Sequence, residues 1–246
     1  MAADWDAATY DRIAGPQARW GSSVIERLPL RGDELVLDAG CGSGRVTQQL
    51  LDRLPNGHVV ALDASAAMLD EARRRLAAYA DRVEYIHADL AAPLPVRRPV
   101  EAILSTATFH WVLDHDALFR HLAQVIVPGG RLVAQCGGRG NIASVEAILE
   151  DLGEGSHRVH YFAGPEETEG RLVAAGFHDI RCWLEDAPTT FESRPELETF
   201  LATVILRVSL ASRAPDEREA FVRTVADRIG GLELDYVRLN IDAVRN

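Results

Sequence analysis

The sequence predicts a three-layer α/β fold with a mostly parallel sheet. Apolar runs of strand length alternate with stretches whose apolar residues recur at helical spacing, which is typical of repeated strand–helix units. The first unit starts with Leu35–Leu37, breaks into a glycine-rich loop at Gly40–Gly44 and continues as a helix. A second apolar run, His58–Leu62, ends in Asp63. A chain of 246 residues, 47% of them hydrophobic, is long enough to bury the core of such a fold.

The loop after the first predicted strand has the form acid-x-Gly-x-Gly-x-Gly, from Asp38 to Gly44. Glycine allows φ angles that other residues avoid and lets a ligand approach the backbone. Asp63 follows Asp38 by 25 residues, at a strand tip where a carboxylate can accept hydrogen bonds from both hydroxyls of a ribose. These features predict a nucleoside site, and a purely structural tight turn is the alternative. Glycines at 40, 42 and 44 differ from the G-x-G-x-x-G spacing of dinucleotide sites.

The motif Asp38-Ala39-Gly40-Cys41-Gly42-Ser43-Gly44 resembles that of the class I S-adenosylmethionine-dependent methyltransferases. The resemblance implies a Rossmann-like fold, with a mostly parallel seven-stranded sheet and an antiparallel last strand, and S-adenosyl-L-methionine as the cofactor. It covers Trp5 to about Ile180 well and the C-terminal third only in outline. The residues that resemble the trans-aconitate methyltransferase branch are Trp5, Tyr10, Gln17 and Phe109-His110-Trp111.

The same resemblance implies which residues contact the cofactor. Asp89, 26 residues after Asp63, would accept a hydrogen bond from the adenine amino group, and the Leu90 backbone would serve the ring nitrogens. A turn-capping role is the alternative for Asp89, and a core position is the alternative for Met68. The expected cofactor-binding residues are Asp38, Gly40, Cys41, Gly42, Gly44, Asp63, Ala64, Met68, Asp89, Leu90 and Gln17.

The methyl acceptor is expected beyond the tip of the fourth predicted strand, Val100–Ser105. Ligands of open parallel sheets bind at the carboxyl ends of the strands, at the crossover point, and this strand should lie beside the first. His110 would then lie near the transferable methyl, as a general base, an orienting donor or a structural residue. The candidate substrate contacts are Trp5, Tyr10, Trp20, Phe109 and Trp111. Arg19 or Arg139 could pair with a second carboxylate or be solvated surface.

These features favour methyl transfer from S-adenosylmethionine to a small molecule by in-line displacement. The resemblance favours a carboxylate oxygen, which needs no base because carboxylates are ionised at pH 7. A phenol or amine acceptor would need His110 as a base. A nicotinamide-dependent oxidoreductase is disfavoured by the glycine spacing and Asp89. A non-catalytic homologue that only binds the cofactor would show the same motifs.

Composition limits the other function classes. A net charge of −11 argues against a nucleic-acid partner, which requires a basic face, and we expect a small-molecule substrate. No apolar run reaches the roughly 20 residues of a membrane helix. Cys41, Cys136 and Cys182 are too few and too scattered for a disulfide framework or a zinc site, so we expect no metal. Acidic residues in Met1–Asp6 are unlike a secretory signal, and we expect a cytoplasmic protein.

The expected organisation is one methyltransferase domain over residues 1–246. A lid is expected over residues 1–30, because segments ahead of the first strand in this family often fold over the cofactor. A helical insertion is expected at about 195–230, with helices over 196–212 and 215–229, as part of the substrate cover. The sequence does not predict the oligomeric state.

Overall fold

The computed structural model describes residues 15–154 and 160–246, with side chains described from residue 21 onward in the first of these ranges. Within them the main sheet has seven strands. In chain order these are β1 (Leu35–Ala39), β2 (His58–Asp63), β3 (Val83–His87), β4 (Val100–Thr106), β5 (Ile126–Gly137), β6 (Phe177–Asp186) and β9 (Val237–Arg245). Two short strands, β7 (Thr189–Thr190) and β8 (Glu233–Leu234), form a separate antiparallel pair.

The spatial order of the main sheet is β3-β2-β1-β4-β5-β9-β6. Strands β1 to β5 pair with one another in parallel, and β9 runs antiparallel to both β5 and β6. The predicted mostly parallel, seven-stranded sheet with an antiparallel last strand is therefore confirmed. The strand order reverses between β1 and β4, which is where an open α/β sheet forms its ligand crevice.

The described helices are α1 (Gly15–Arg27), α2 (Arg45–Asp52), α3 (Ala66–Arg75), α4 (His115–Val125), α5 (Ala143–Asp151), α6 (Pro165–Ala174), α7 (Arg194–Phe200), α8 (Arg207–Ala211) and α9 (Pro215–Ile229). Short 3₁₀ turns cover Ala77–Arg82 and Phe109–Trp111, and one π-helical turn covers Leu201–Ile205.

The sheet separates two apolar layers because successive strand residues point to opposite faces. Val36 packs with Val24 of α1 and Leu50 of α2, whereas the next residue, Leu37, belongs to the cluster that contains Phe119 of α4. All five side chains are fully buried. Helices thus cover both faces, which confirms the three-layer architecture.

The late helical segment differs in detail from the prediction. The helix expected over 196–212 is instead α7, a π turn and α8, and Leu206 N–H donates to the carbonyl of Leu201, five residues back. Helix α9 has the predicted bounds. Helix α5, for which the sequence analysis made no prediction, precedes this segment. The buried Val145 of α5 and Phe200 of α7 belong to one apolar cluster, which is separate from the sheet core.

The predicted lid falls only partly within the described residues. Residues 1–14 lie outside them. From residue 21 onward, Val24, Ile25 and Leu28 are buried against the sheet, because their helical spacing puts them on one side of α1. This part of the predicted lid is therefore core. No helix in the described ranges is both long and apolar enough to cross a membrane.

The tips of β1 and β4 are tied together at the crossover point. Ser105 Oγ donates to the carbonyl of Ala39 at 2.7 Å. The Thr108 hydroxyl proton is shared between the carbonyls of Thr106, at 2.9 Å, and Gly40, at 3.2 Å. A Cβ on Gly40 would overlap the Thr108 side chain, and Gly40 has a φ of +87°. Gly40 is required both by its backbone conformation and by this close approach.

We predict that Gly40→Ala destabilises the protein much more than Gly129→Ala. Both residues have positive φ, which costs an alanine about 1 kcal/mol, but a Cβ on Gly129 meets nothing within 4 Å, whereas on Gly40 it displaces Thr108. Urea unfolding of the two variants measures the difference. Equal losses in the free energy of unfolding would show that β1 and β4 do not interlock at this point.

Candidate active site

The glycine loop joins β1 to α2 and is open on one side. Gly42 and Gly44 have φ angles of +54° and +78°, and Gly44 is the N-cap of α2. Gly40 N–H and Cys41 N–H both donate to the carbonyl of Leu62 on β2, at 2.8 and 2.9 Å. A Cβ on Gly42 would meet no protein atom within 4 Å, so the backbone of this loop is accessible to a ligand.

Asp63, at the tip of β2, holds the loop in place. Its Oδ2 accepts the N–H of Gly42 at 2.8 Å, and its Oδ1 accepts that of Ser65 at 2.9 Å. Burial raises the pKa of Asp63, and these two hydrogen bonds oppose the shift. Each oxygen keeps a further acceptor position, as two ribose hydroxyls would require.

Asp38, at the end of β1, is a buried carboxyl group of which only one oxygen has a hydrogen-bond partner in the described structure. Its Oδ2 accepts from Thr47 Oγ1 of α2 at 2.6 Å, and its Oδ1 is buried without a partner in the described structure. Burial is the main cause that raises the pKa of Asp38 to about 7. An unpartnered buried carboxylate oxygen beside an open loop suits a cationic donor such as an ammonium group.

Four other predicted cofactor residues differ in their exposure. The Asp89 side chain is exposed, and its Oδ1 accepts the N–H of Ala91 at 2.8 Å, as a turn cap would. Met68 and Leu90 are buried. Ala64 is exposed, and its carbonyl lies 3.0 Å from His87 Nε2.

Of two further predicted residues, the structure describes the side chain of Cys41 but not that of Gln17. Cys41 packs under the loop against Ala61 and Leu69, and burial raises the pKa of its thiol. The side chain of Gln17 lies outside the described residues.

On the other side of the crossover point, His110 lies on the 3₁₀ turn that follows β4. Its Nδ1 accepts the N–H of Gly137 at 3.2 Å. Since Nδ1 is an acceptor, the proton of the neutral ring resides on Nε2. Burial, and then the nearby Arg238, lower the pKa of His110 well below its usual value, so the imidazole is neutral.

Phe109, a predicted substrate contact, and Arg139, for which solvated surface was the alternative, both have partners within the protein. Phe109 is fully buried, with its ring edge-to-face on Phe119 at 5.9 Å, because this position of the turn points into the core. Arg139 is exposed and pairs with Glu167 at 3.0 Å. Glu167, which also accepts from Tyr161, has its pKa lowered to about 2 by these partners against an opposing burial effect.

Trp111 stays beside His110, with their ring centroids 5.2 Å apart. Trp5 and Tyr10, and the side chains of Arg19 and Trp20, lie outside the described residues.

Four residues that the sequence reasoning missed surround His110 and Trp111. They are His160, Phe162, Arg207 and Arg238. Arg238 stands in the polar register of an alternating strand, with Asn240 and Asp242, so the sequence did not indicate that it is only 2% exposed. Arg207 lies in the predicted helical cover. In the described ranges no group of His, Cys, Asp and Glu side chains could hold a metal ion.

Comparison with known proteins identifies the family. Residues 36–130 match the family described as a methyltransferase domain. Trans-aconitate 2-methyltransferase of Methylobacterium nodulans is 33% identical over 199 residues, which cover 77% of this chain and 70% of that protein. The malonyl-[acyl-carrier protein] O-methyltransferase of Geobacter sulfurreducens is 30% identical over 244 residues, which cover 92% and 89% of the two chains.

Among solved structures, phosphoethanolamine N-methyltransferase 2 of Haemonchus contortus, in complex with S-adenosylhomocysteine, has a similar fold. Its TM-score is 0.64 at 20% identity, over 97% of this chain and 56% of that one. Fold, glycine loop and relatives together define an S-adenosylmethionine-dependent methyltransferase that acts on a small molecule. The chain belongs to the trans-aconitate 2-methyltransferase branch of these enzymes.

The residues present fit the cofactor of this family. When bound, S-adenosylmethionine supplies a methyl group carried by a sulfonium. When the methyl group is transferred, the sulfur is left as a neutral thioether. Asp63 has acceptor positions for a ribose, the unpartnered oxygen of Asp38 suits the methionyl ammonium, and the bare backbone at Gly42 allows close approach. With the methyl donor bound there, these hydrogen-bond acceptors and the loop would orient it.

We predict that Asp63→Ala lowers the affinity for S-adenosylmethionine by roughly 100-fold. The variant loses a charged acceptor for the ribose and the anchor of Gly42, each comparable to a hydrogen bond with a charged group. Titration calorimetry measures the loss. Asp70→Ala is the control, because it removes an exposed carboxylate that pairs with Arg73 on α3. Wild-type affinity in the Asp63 variant would contradict the assignment.

Asp38 predicts a pH dependence of stability in the absence of cofactor. Its pKa rises from 3.8 in the unfolded chain to about 7 in the folded one, so the folded state binds more protons between these values. The free energy of unfolding should therefore fall as the pH rises from about 4 to 7, by up to roughly 4 kcal/mol from this group.

Urea unfolding at pH 5 and pH 8 tests this dependence on the wild type and on Asp38→Asn, which cannot ionise. The variant should lack this part of the slope and be more stable at pH 8, while binding the cofactor more weakly. Parallel pH profiles for the two proteins would contradict a buried Asp38 with a raised pKa.

Proposed function

We propose that the enzyme transfers the methyl group to a carboxylate oxygen of a small organic acid. The observation that carries this proposal is the state of His110. Its Nδ1 is occupied by the N–H of Gly137, its ring is neutral, and its Nε2–H can only donate. A neutral donor near the cationic Arg238 suits an anionic acceptor.

The names of the relatives support the same substrate class. Trans-aconitate is a tricarboxylic acid, and the malonyl group of the other relative ends in a carboxylate. In both molecules a carboxylate is the ionised oxygen nucleophile at neutral pH. The proposal extends that chemistry to this chain.

The reaction then requires no general base. The carboxylate oxygen forms the new C–O bond as the C–S bond breaks with its electron pair going to sulfur, and no proton moves. The task of the protein is to hold the oxygen in line with the methyl and to exclude water. We assign His110 Nε2–H to orient the acceptor and Trp111 to pack against it.

The alternative acceptors, a phenol or an amine, would need a residue that removes a proton. His110 is poorly suited to that role, because its Nδ1 lone pair accepts a hydrogen bond and its protonated form is disfavoured by burial and by Arg238. The predicted roles of Asp89 and Leu90 at the adenine, and of the segment before residue 15 as a lid, stay parts of this proposal.

A panel of small carboxylic acids, phenols and amines, incubated with S-adenosylmethionine and analysed by mass spectrometry, tests the proposed function. We expect methyl esters, which mild base hydrolyses, from the acids alone. Base-stable ethers or methylamines would overturn the carboxylate assignment. Cofactor binding without any product would indicate a non-catalytic homologue.

Variants of His110 separate a donor from a base. His110→Ala should lower kcat/KM by about 10-fold or more, the loss expected for a hydrogen bond to a charged group, without changing the pH profile between 6.5 and 8.5. His110→Gln, which restores an N–H donor, should recover part of the activity. A wild-type rate that rises with a pKa in this range, and a variant rate that does not, would identify His110 as a base.

A further inference from the structure

The turn that carries His110 is held through its backbone carbonyl groups as well as through the His110 ring. His115 Nε2 donates to the carbonyl of Phe109 at 2.9 Å, and Tyr161 N–H donates to the carbonyl of His110 at 2.8 Å. The ring itself is held at Nδ1, which accepts the N–H of Gly137. The direction of His110 Nε2–H therefore depends on Tyr161 as well as on β5.

The side chain of Tyr161 is fixed to both α4 and α6. Its hydroxyl donates to Glu167 and accepts from Arg171 Nη2 at 2.9 Å. Its ring packs edge-on against that of His115 at the start of α4, with 4.9 Å between the ring centres. Arg171 also lies 3.6 Å from a carboxylate oxygen of Asp116 on α4. A single residue thus joins these two helices to the turn that follows β4.

Glu167 is the charged acceptor at which the donors of this region meet. It accepts the N–H of Gly164 at 2.7 Å and an N–H of Arg139 at 3.0 Å, in addition to the Tyr161 hydroxyl. Burial opposes ionisation, but these hydrogen bonds lower the pKa of Glu167 to about 2. The carboxylate is therefore charged at neutral pH, and hydrogen bonds to a charged acceptor are stronger than those between neutral groups.

The chain contains a second arrangement of the same kind, far from the site. Tyr79 Oη donates to Asp52 at 2.7 Å, and the Arg82 guanidinium lies 5.2 Å from the centre of the Tyr79 ring. Tyr79 lies on the 3₁₀ turn that precedes β3, at the end of the sheet where the parallel strands begin. Ligands of such sheets bind at the opposite end, so this tyrosine provides a matched control.

We propose that Tyr161 is a positioning residue for methyl transfer, which sets the direction of His110 Nε2–H and is itself held in place by Glu167 and Arg171. This inference rests on the role proposed for His110 and adds to it the residues that fix its position. Removal of the Tyr161 hydroxyl frees the ring from both partners, while Arg171 keeps its ion pairs with Glu167 and Asp116. Because displacement requires precise alignment, a small shift of His110 lowers the rate of transfer more than it lowers cofactor affinity.

Kinetics of Tyr161→Phe and Tyr79→Phe, with an acid that the wild type methylates, tests the inference. Tyr161→Phe should lower kcat by about 10-fold without changing the calorimetric affinity for S-adenosylmethionine, and Tyr79→Phe should keep the wild-type kcat. Glu167→Gln, whose amide oxygen can still accept from Tyr161, should retain more activity than Glu167→Ala. A wild-type kcat in Tyr161→Phe, an equal loss in Tyr79→Phe, or a parallel loss of cofactor affinity would overturn the inference.

Hydrogen exchange tests the same inference without any activity. The amides of Gly137 and Tyr161 both bond to His110, so both should exchange about 10-fold faster in Tyr161→Phe than in the wild type, while the amides of β1 keep their protection. Unchanged exchange at both amides, or an equal acceleration throughout the sheet, would overturn the inference. If the wild type methylates no acid, the proposed function fails, and this measurement still shows whether Tyr161 holds His110.

Discussion

The interlock between the glycine loop and the tip of β4 is the constraint on which the site depends. Thr108 donates to the carbonyl of Gly40, and Gly40 has no side chain that would separate the two segments. From the other side, Asp63 accepts the N–H of Gly42. The cofactor loop and the turn that carries His110 are thereby parts of one hydrogen-bonded unit. Methyl transfer requires this, because donor and acceptor must be aligned within a fraction of an ångström.

Burial favours the neutral form of the titratable groups on both sides of the site: it raises the pKa of a carboxyl group on one side and lowers the pKa values of two imidazoles on the other. On the cofactor side it raises the pKa of Asp38 to about 7, so that a cation is needed to stabilise the ionised carboxylate. On the acceptor side it lowers the pKa values of His110 and His160, so that both rings are neutral donors or acceptors. The cofactor side thus presents carboxylates, which suit a cationic donor, and the other side presents neutral imidazoles near Arg238, which suit the anionic acceptor proposed above.

The sequence predicted the features of the fold and the site that depend on local patterns. The glycine spacing, the acid at the end of β2 and the alternation of strands and helices are all local signals, and the strand–helix units, the loop and the position of β4 beside β1 followed from them. The seven-stranded sheet with its antiparallel last strand was implied by the family resemblance. The direction in which a single side chain on a turn points is not determined by the local sequence. Phe109 and His110 are neighbours in one turn, yet the first points into the core and the second towards Gly137.

Long-range contacts explain the other differences. Arg139 could have paired with a substrate carboxylate or been solvated surface, and the Glu167 that pairs with it lies 28 residues away on α6. Arg207 depends on a π turn, which has no clear sequence signature, and Arg238 reaches the site only through the antiparallel insertion of β9 between β5 and β6. These contacts become visible only when the complete sheet is assembled.

The proposed carboxylate acceptor depends on His110 being a neutral donor on Nε2. Long-range ¹H–¹⁵N NMR of imidazole-labelled protein, with His110→Gln used to assign the signal, reports the protonation of both ring nitrogens directly. We predict a protonated Nε2 and an unprotonated Nδ1 for His110, unchanged between pH 6 and pH 8. A ring that titrates near pH 7, or one protonated on Nδ1, would contradict it and would favour an acceptor that must first lose a proton.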